Sequence, residues 1–292
     1  MTEQTQNIHK GIGLSILAFF FFSVSDTARK YLSLEHDLYD IFFWQAIVGI
    51  GVLMVFSPWM GGVRGLYNAK RVRWHLLRGV LMMANTILSL NALSRVPIMD
   101  AYTIYFTTPF VVCLLSFFLF KEPIGRLRLL IIAMGFVGGL VAFRPGFAAL
   151  DPAYLFACAA VFTFSFSSLI AKHTKGGRDA LAYGLYPLVL LLFLCVGVKG
   201  GDMLFAPNFE FLAISVVSGA AYALALVAAS LCFQMADTAV VAPYQYTQLI
   251  WALGFGYLIF GDVPDTFKVI GAGIIVGSGI VFFMRERTRK SL

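Results

Sequence analysis

The sequence is short of charge. Only 13% of its 292 residues are charged, whereas 60% are hydrophobic, and a water-soluble domain of this size needs more charged surface than that. Ten long stretches carry no charged residue and are mostly apolar, close to the length of about 20 residues that a bilayer-spanning helix requires. We therefore predict an all-α membrane protein with ten transmembrane helices. The uncharged stretches are residues 11–25, 41–63, 79–94, 101–120, 129–143, 152–171, 180–198, 211–236, 238–261 and 269–284.

The chain also lacks the usual signs of catalysis and of cofactor binding. It contains no G-x-x-x-x-G-K-[ST] motif, so it encodes no ATP-driven motor. The four cysteines form no Cys-x-x-Cys pair, and the histidines fall near the ends of predicted helices, which leaves none deep enough for hydrolysis or metal binding. We predict that the protein is not an enzyme and has no cofactor and no metal site. The histidines are His9, His36, His75 and His173.

The positive charge of the chain is distributed as membrane topology requires. The formal net charge is +7. If the N-terminus is cytoplasmic, most lysine and arginine residues fall in the connections on that side, which is the positive-inside pattern. Both termini are then predicted to be cytoplasmic in a multi-pass protein of the cell inner membrane. The basic balance therefore indicates a lipid bilayer as the partner and no nucleic acid.

The two halves of the chain resemble each other. With a shift of 142 residues, S-V-S-D-T-A-R-K (23–30) lies on S-F-S-S-L-I-A-K (165–172). With a shift of 140 residues, L-F-K-E-P (119–123) lies on I-F-G-D-V (259–263). Because such a series of matches at nearly one offset indicates a repeat, we divide the chain into two five-helix units. Five is odd, so the second unit enters the membrane from the opposite face, as in the inverted repeats of secondary transporters. The predicted units are residues 8–145 and 150–285.

Three segments resemble one transporter family. They are P-F-V-V-C-L-L-S-F-F-L-F-K-E-P (109–123), F-R-P-G (143–146) and Y-T-Q-L-I-W-A-L-G-F-G-Y-L-I-F-G-D (246–262). Within a five-plus-five arrangement of helices, they are similar to the EamA branch of the drug/metabolite transporter superfamily. The resemblance covers nearly the whole chain. It implies transport of amino acids, vitamins, nucleotide-like metabolites or cationic drugs, and the similar members include importers of riboflavin and of S-adenosylmethionine and exporters of amino acids.

The ninth predicted helix is the most polar, and its aromatic residues are not confined to its ends as an interfacial belt would require. Tyr244, Gln248 and Trp251 are expected to share one face of that helix. An aromatic and amide surface suits a ring-bearing organic solute, and hydrogen bonding between helices is the alternative explanation. The candidate substrate-binding residues are Asn85, Ser89, Tyr102, Tyr105, Ser165, Tyr222, Tyr244, Gln245, Gln248 and Trp251.

Charged residues near the predicted helix ends are candidates for gating. Asp26 and Arg29 are one turn apart and are expected to pair, either in an outer gate or in a solvated rim. Arg78 lies near the cytoplasmic end of the third helix, where its long side chain is expected to extend to the interface. The predicted gating residues are Asp26, Arg29, Arg78 and Asp100.

Proline and glycine mark expected irregularities. Pro109 and Pro243 are predicted to kink the fourth and ninth helices, because each removes a backbone hydrogen bond. Gly135 and Gly139 are four residues apart on the fifth predicted helix. This spacing lets a neighbouring helix approach closely.

These features predict a secondary transporter. We expect it to move a small organic metabolite, such as an amino acid, a vitamin or a nucleoside-like solute with a ring, across the inner membrane by alternating access. A membrane channel and a membrane-embedded enzyme are the alternatives, and a channel would assemble rings of like charge or a continuous pore. The predicted partners are the small-molecule substrate and the lipid bilayer, and the protein is expected to be a monomer or a homodimer.

Overall fold

A computed structural model describes most of the chain. The described residues are 3–60, 62–63, 66, 69–93, 95, 104–121, 125–143, 152–174, 180–200, 208–261, 266–267, 269–274 and 276–278. Within these ranges every regular element is a helix. The prediction of an all-helical fold is therefore confirmed for this part of the chain, and the count of ten transmembrane helices stays a prediction.

Ten α-helical segments follow one another between residues 3 and 260 of the described chain. They are α1 (Glu3–Leu32), α2 (Leu38–Phe56), α3 (Ala69–Leu93), α4 (Thr108–Phe120), α5 (Arg126–Phe143), α6 (Ala153–His173), α7 (Ala180–Lys199), α8 (Phe209–Met235), α9 (Thr238–Val241) and α10 (Thr247–Phe260). A 3-10 segment, Ala242–Tyr246, joins α9 to α10, so the ninth predicted transmembrane helix consists of three short pieces.

Five segments are long and apolar enough to cross a membrane by length and composition. They are Gln6–Leu32, Leu38–Met60, Tyr154–His173, Ala180–Lys199 and Phe209–Met235. Shorter apolar helices occur at Thr108–Phe120, Leu129–Val141 and Val269–Ser278. The lengths of the five longer segments agree with the hydrocarbon thickness of a bilayer.

The helices pack in a definite set of pairs. The most extensive contacts join α1 to α8 and α3 to α6, followed by α2 to α8, α2 to α7 and α3 to α7. α1 also contacts α10, and α4 contacts α6. Gly219 lets α8 approach α2, because a Cβ atom there would stand 2.7 Å from the carbonyl oxygen of Gln45. The bundle is therefore held together by contacts between its first and second halves.

The two prolines interrupt their helices in different ways. Pro243 lies at the start of the 3-10 segment, and the predicted irregularity of the ninth helix is thus present as a break. Pro109 occupies the first turn of α4, where its missing N–H would have no partner in any case. Ile104 and Tyr105 are helical and Phe106 and Thr107 form a turn before α4, so the expected irregularity at Pro109 is present as a break at the start of α4 and not as a kink within it.

An ion cluster ties the start of α2 to the end of α7. Lys199 Nζ lies 2.7 Å from Asp40 Oδ2 and 3.1 Å from Asp37 Oδ1. Asp37 also caps α2 by accepting a hydrogen bond from the N–H of Tyr39 at 2.8 Å. Partial burial raises the pKa of the Asp37 carboxyl, but the bonds from Tyr39 and Lys199 outweigh it and lower that pKa below its ordinary value. The stabilisation is therefore present at neutral pH and is lost as acidification protonates Asp37.

Candidate functional site

Two charged residues of α1 meet an amide of α10 inside the bundle. Asp26 pairs with Arg29 on the next turn of the same helix. The other oxygen of the Asp26 carboxylate accepts a hydrogen bond from Gln248 Nε2 at 3.2 Å. The side chains of Asp26 and Arg29 retain exposed fractions of 32% and 22%, so neither is sealed in the core. We refer to these three residues as the charged cluster, and it joins the two halves of the chain.

Aromatic rings surround the guanidinium group of Arg29. It lies 5.4 Å from the centre of the Tyr222 ring and 5.9 Å from that of Phe42, both within the range of cation–π attraction. Tyr222 is buried, and its hydroxyl lies 3.1 Å from Thr86 Oγ1. Arg29 is therefore oriented by α2 and α8 as well as by its carboxylate partner.

The start of α10 is held against α1 beyond the charged cluster. Ser23 Oγ donates a hydrogen bond to the carbonyl oxygen of Gln248 at 3.3 Å. Trp251, one turn further along α10, packs edge-on against Phe20 with ring centres 5.1 Å apart. Gln248 and Trp251 of α10 therefore both contact α1.

The candidates on α3 hold neighbouring segments. Asn85 Nδ2 donates to the carbonyl oxygen of Ala160 in α6 at 2.8 Å. The carbonyl oxygen of Ser89 accepts a hydrogen bond from the hydroxyl of Tyr105 at 3.2 Å. Hydrogen bonding between helices thus accounts for the position of the Asn85 amide, and Tyr105 ties the segment before α4 to α3.

Three candidates lie in packed surroundings away from the charged cluster. Ser165 is fully buried, and its hydroxyl donates to the carbonyl oxygen of Val161 in its own helix at 2.6 Å. Tyr244 belongs to an apolar group of buried residues that includes Ile12. Gln245 is 5% exposed. The candidates Tyr102 and Asp100 lie outside the described residues.

Arg78 does not extend to the interface as expected from the sequence. It is 3% exposed, and its guanidinium group donates to the carbonyl oxygen of Tyr183 and, at 2.6 Å, to Ser230 Oγ. The carbonyl of Tyr183 would normally accept from the N–H four residues later, but that residue is Pro187, inside α7. Arg78 supplies the hydrogen bond that the proline cannot, which explains why it is retained in the bundle.

Replacing Arg78 with methionine should lower the stability of the protein by about 1–3 kcal/mol, because the buried hydrogen bonds from its guanidinium group to the Tyr183 carbonyl and to Ser230 are lost. The loss should shrink when Pro187→Ala is added, since alanine restores the backbone N–H of α7. Melting in detergent measures both variants, with the exposed Arg73→Met of the same helix as the control. Equal losses with and without Pro187→Ala would contradict this role.

Sequence reasoning missed a central aromatic pair. The rings of Phe106 and Tyr246 have centres 5.8 Å apart, and the Tyr246 hydroxyl donates to the carbonyl oxygen of Ile132 at 3.0 Å. A Cβ atom on Gly135 would stand 2.3 Å from the Tyr246 ring, and one on Gly139 would stand 3.0 Å from the Phe106 ring. These glycines therefore admit aromatic rings, whereas the expectation was a neighbouring helix backbone. The four-residue spacing of the glycines indicated a close approach, but it did not indicate that the approaching groups are aromatic rings.

Comparisons with known proteins agree with this architecture. Residues 9–144 match the EamA-like transporter family. An S-adenosylmethionine uptake transporter of Rickettsia conorii is 25% identical over 287 residues, covering 98% of this chain and 97% of that protein. A riboflavin transporter of Brucella anthropi is 27% identical over 252 residues, covering 84% of this chain and 87% of that protein.

A solved crystal structure has the same fold. It aligns with a TM-score of 0.75 over 95% of this chain and 98% of its own chain, at 17% sequence identity. The family match, the full-length transporter relatives and the apolar helices agree with the resemblance seen in the sequence. Residues 9–144 therefore carry an EamA-like domain of the drug/metabolite transporter superfamily, and this match together with the transporter-named relatives indicates a transporter rather than an enzyme.

Proposed function

We propose that the protein carries a small organic metabolite across the inner membrane by alternating access of two inverted halves. The observation that carries the proposal is a pair of equivalent contacts at opposite ends of the bundle. Lys30 Nζ lies 4.3 Å from the centre of the Phe260 ring, and Lys172 Nζ lies 5.7 Å from that of Phe120. We refer to the first as the outer cation–π contact and to the second as the inner cation–π contact.

The internal repeat relates these two contacts to each other. The match of residues 23–30 with 165–172 places Lys30 on Lys172, and the match of 119–123 with 259–263 places Phe120 on Phe260. Each contact joins a lysine at the end of one half's first helix to a phenylalanine at the end of the other half's fourth helix. With cytoplasmic termini, Lys30 and Phe260 face outward and their counterparts face the cytoplasm.

The helix pairing supports the same symmetry. If the two halves are equivalent, each helix pair between them should have a counterpart. The pairs α1–α8, α2–α8 and α1–α10 correspond to α6–α3, α7–α3 and α6–α4. All six pairs are in contact. Phe106 and Tyr246 are separated by the repeat spacing of 140 residues and touch each other. Two equivalent residues in contact are expected on the symmetry axis, so this pair supports an axis through the middle of the bundle.

These contacts suit a gate that opens and closes. A cation–π contact contributes about 0.5–2 kcal/mol, which is small enough to break during a transport cycle. Opening the outer contact while the inner one holds would expose the central site to the outside, and the reverse would expose it to the cytoplasm. Alternating access follows from rocking of the two halves about the central site.

The residues around the charged cluster favour an organic solute with a ring. Trp251, Phe20, Tyr222 and Tyr105 offer aromatic surface, and Gln248 offers an amide next to Asp26. Sites for organic solutes are mostly apolar, with a few polar groups that fix orientation. Full-length relatives named as transporters of S-adenosylmethionine and of riboflavin, both ring-bearing solutes, support this substrate class.

Replacing Gln248 or Trp251 with alanine should raise the solute concentration for half-maximal uptake roughly tenfold, since each change removes one polar or stacking contact. Uptake of S-adenosylmethionine and of riboflavin into proteoliposomes measures the effect. Ser165→Ala is the matched control, because that hydroxyl is bound within its own helix. Saturable uptake that is unchanged in both α10 variants would place the site elsewhere, and no saturable flux across a broad metabolite panel would oppose the transport proposal itself.

A further inference from the structure

We infer that the charged cluster binds the dipolar head of the transported solute, a positively charged nitrogen and a carboxylate close together, as in the α-amino acid end of a larger molecule. This inference rests on the proposed function and adds a substrate class to it. Asp26 would receive the cation, Arg29 the carboxylate, and the aromatic residues of α8 and α10 the body of the solute.

The location of the pair favours a functional role. Asp26 and Arg29 lie in the last two turns of the candidate membrane span Gln6–Leu32, and ionisable residues within such spans are costly and usually functional. One turn of helix is enough to let them pair with each other. The pair does not cross-link two helices, and the bundle would lose no interhelical ion pair without it.

Each charge has a second set of contacts that holds it in place. Gln248 Nε2 donates to the carboxylate of Asp26, and the rings of Tyr222 and Phe42 face the guanidinium group of Arg29. If the bond between the two charges breaks, both remain oriented. A solute nitrogen can then take the place of the guanidinium group at Asp26, and a solute carboxylate can take the place of Asp26 at Arg29, in the two-point geometry that arginine favours.

A further donor lies beside the cluster. The indole nitrogen of Trp251, one turn after Gln248 on α10, is buried and has no hydrogen-bond partner among the described residues. Buried polar groups are normally bonded, so an acceptor supplied by a bound solute would satisfy it. This donor stands beside the ring surface of Phe20, where the body of the solute is expected.

Because the solute replaces each charge of the Asp26–Arg29 pair as the partner of the other, binding favours a solute that carries both a cation and a carboxylate. A zwitterionic head replaces the internal pair charge for charge, so no group in the membrane is left unpaired. A solute with only the cation or only the carboxylate frees one protein charge without a partner, which is unfavourable inside a bundle. We therefore expect head-bearing solutes to bind roughly tenfold to hundredfold more tightly than the same body without its head.

The test uses the full-length protein in detergent and in proteoliposomes. Four probes separate head from body: S-adenosylmethionine and L-methionine carry the amino acid head, whereas 5′-methylthioadenosine carries the nucleoside body alone and riboflavin carries a different ring system. The melting temperature against probe concentration measures binding, because a ligand that binds the folded state raises it. Competition for uptake measures the same preference during transport.

In the wild type, the head-bearing probes should raise the melting temperature at lower concentrations than 5′-methylthioadenosine does. D26N and R29Q should each weaken their binding roughly tenfold to hundredfold and leave riboflavin or 5′-methylthioadenosine unaffected. The double variant D26N/R29Q should fold normally, since it leaves no lone charge, and should lose the preference for the head. R95Q is the matched control, because Arg95 also lies over an aromatic ring, that of Phe156, at 5.4 Å.

Three results would overturn the inference. One is equal binding of S-adenosylmethionine and 5′-methylthioadenosine in the wild type. Another is a head preference that survives in the folded D26N/R29Q variant. If neither head-bearing probe binds while riboflavin is taken up saturably, the head-group assignment fails and the transport proposal stands.

Discussion

Joining positions 30 and 260 with a short cross-link should stop solute flux almost completely. The variant carries Lys30→Cys and Phe260→Cys in a background from which the four free cysteines, Cys113, Cys158, Cys195 and Cys232, have been removed. The native side chains at these two positions are in contact, so a short reversible thiol reagent can bridge them. With the outer contact closed, the solute would have no route to the central site from outside.

Reduction of the cross-link should restore flux, which separates gating from damage to the fold. The equivalent pair Lys172→Cys and Phe120→Cys should give the same arrest from the other side, because the repeat relates the two contacts. Each single-cysteine variant, treated with the same reagent, serves as the control. Undiminished flux through protein shown by mass spectrometry to be cross-linked would rule out gating by these contacts.

The Gly135→Ala variant should be among the least stable single substitutions. Its Cβ atom would stand 2.3 Å from the ring of Tyr246, a side chain that is 1% exposed. The ring cannot move outward freely, because its hydroxyl is bound to the carbonyl oxygen of Ile132 on the same helix as Gly135. Overpacking of this kind costs about 1–3 kcal/mol or more, which should appear as a lower melting temperature.

A substitution at a second glycine is the matched control, because its expected effect on stability is neutral or opposite to that of Gly135→Ala. Gly254 in α10 has no atom within 4 Å of the position of a Cβ atom, so Gly254→Ala should be neutral or stabilising, as expected for alanine in a helix. Tyr246→Leu in the Gly135→Ala background should recover part of the lost stability by removing the clash. Equal melting temperatures for Gly135→Ala and the wild type would show that the ring is not confined as described.

Much of the fold is readable from the sequence because the bilayer restricts what an apolar chain can do. Long uncharged stretches are expected to be helical in a membrane, since no water is available to satisfy the backbone, and every regular element among the described residues is a helix. Pro243 also indicated an interruption of the ninth helix, which is present as a 3-10 segment. These features depend on local chemistry alone.

The partners of individual side chains could not be read in the same way. Asp26 and Gln248 are 222 residues apart, and no local pattern connects them. Arg78 was expected at the interface because the sequence does not show that Arg78 and Pro187, which are far apart along the chain, are neighbours in space. Once the structure brings α3 against α7, the Tyr183 carbonyl, which cannot accept a hydrogen bond from the backbone of Pro187, accepts one from the buried arginine.

The predicted internal repeat is the sequence feature with the widest consequences. It rests on matches such as Lys30 with Lys172, each weak by itself. In the structure each of these lysines lies over a phenylalanine of the other half, Lys30 over Phe260 and Lys172 over Phe120. Asp26 has no charged counterpart, since Ser168 stands at its position in the second half. The charged cluster is thus a place where the two halves differ in charge.

Counterflow in proteoliposomes tests alternating access most directly. Vesicles are loaded with a high concentration of unlabelled S-adenosylmethionine or riboflavin and diluted into a trace of the same labelled solute. A carrier that exposes one site to each side in turn should accumulate the label transiently above its equilibrium level. A channel gives no such overshoot, so label that only approaches equilibrium, in vesicles that conduct the solute, would contradict alternating access.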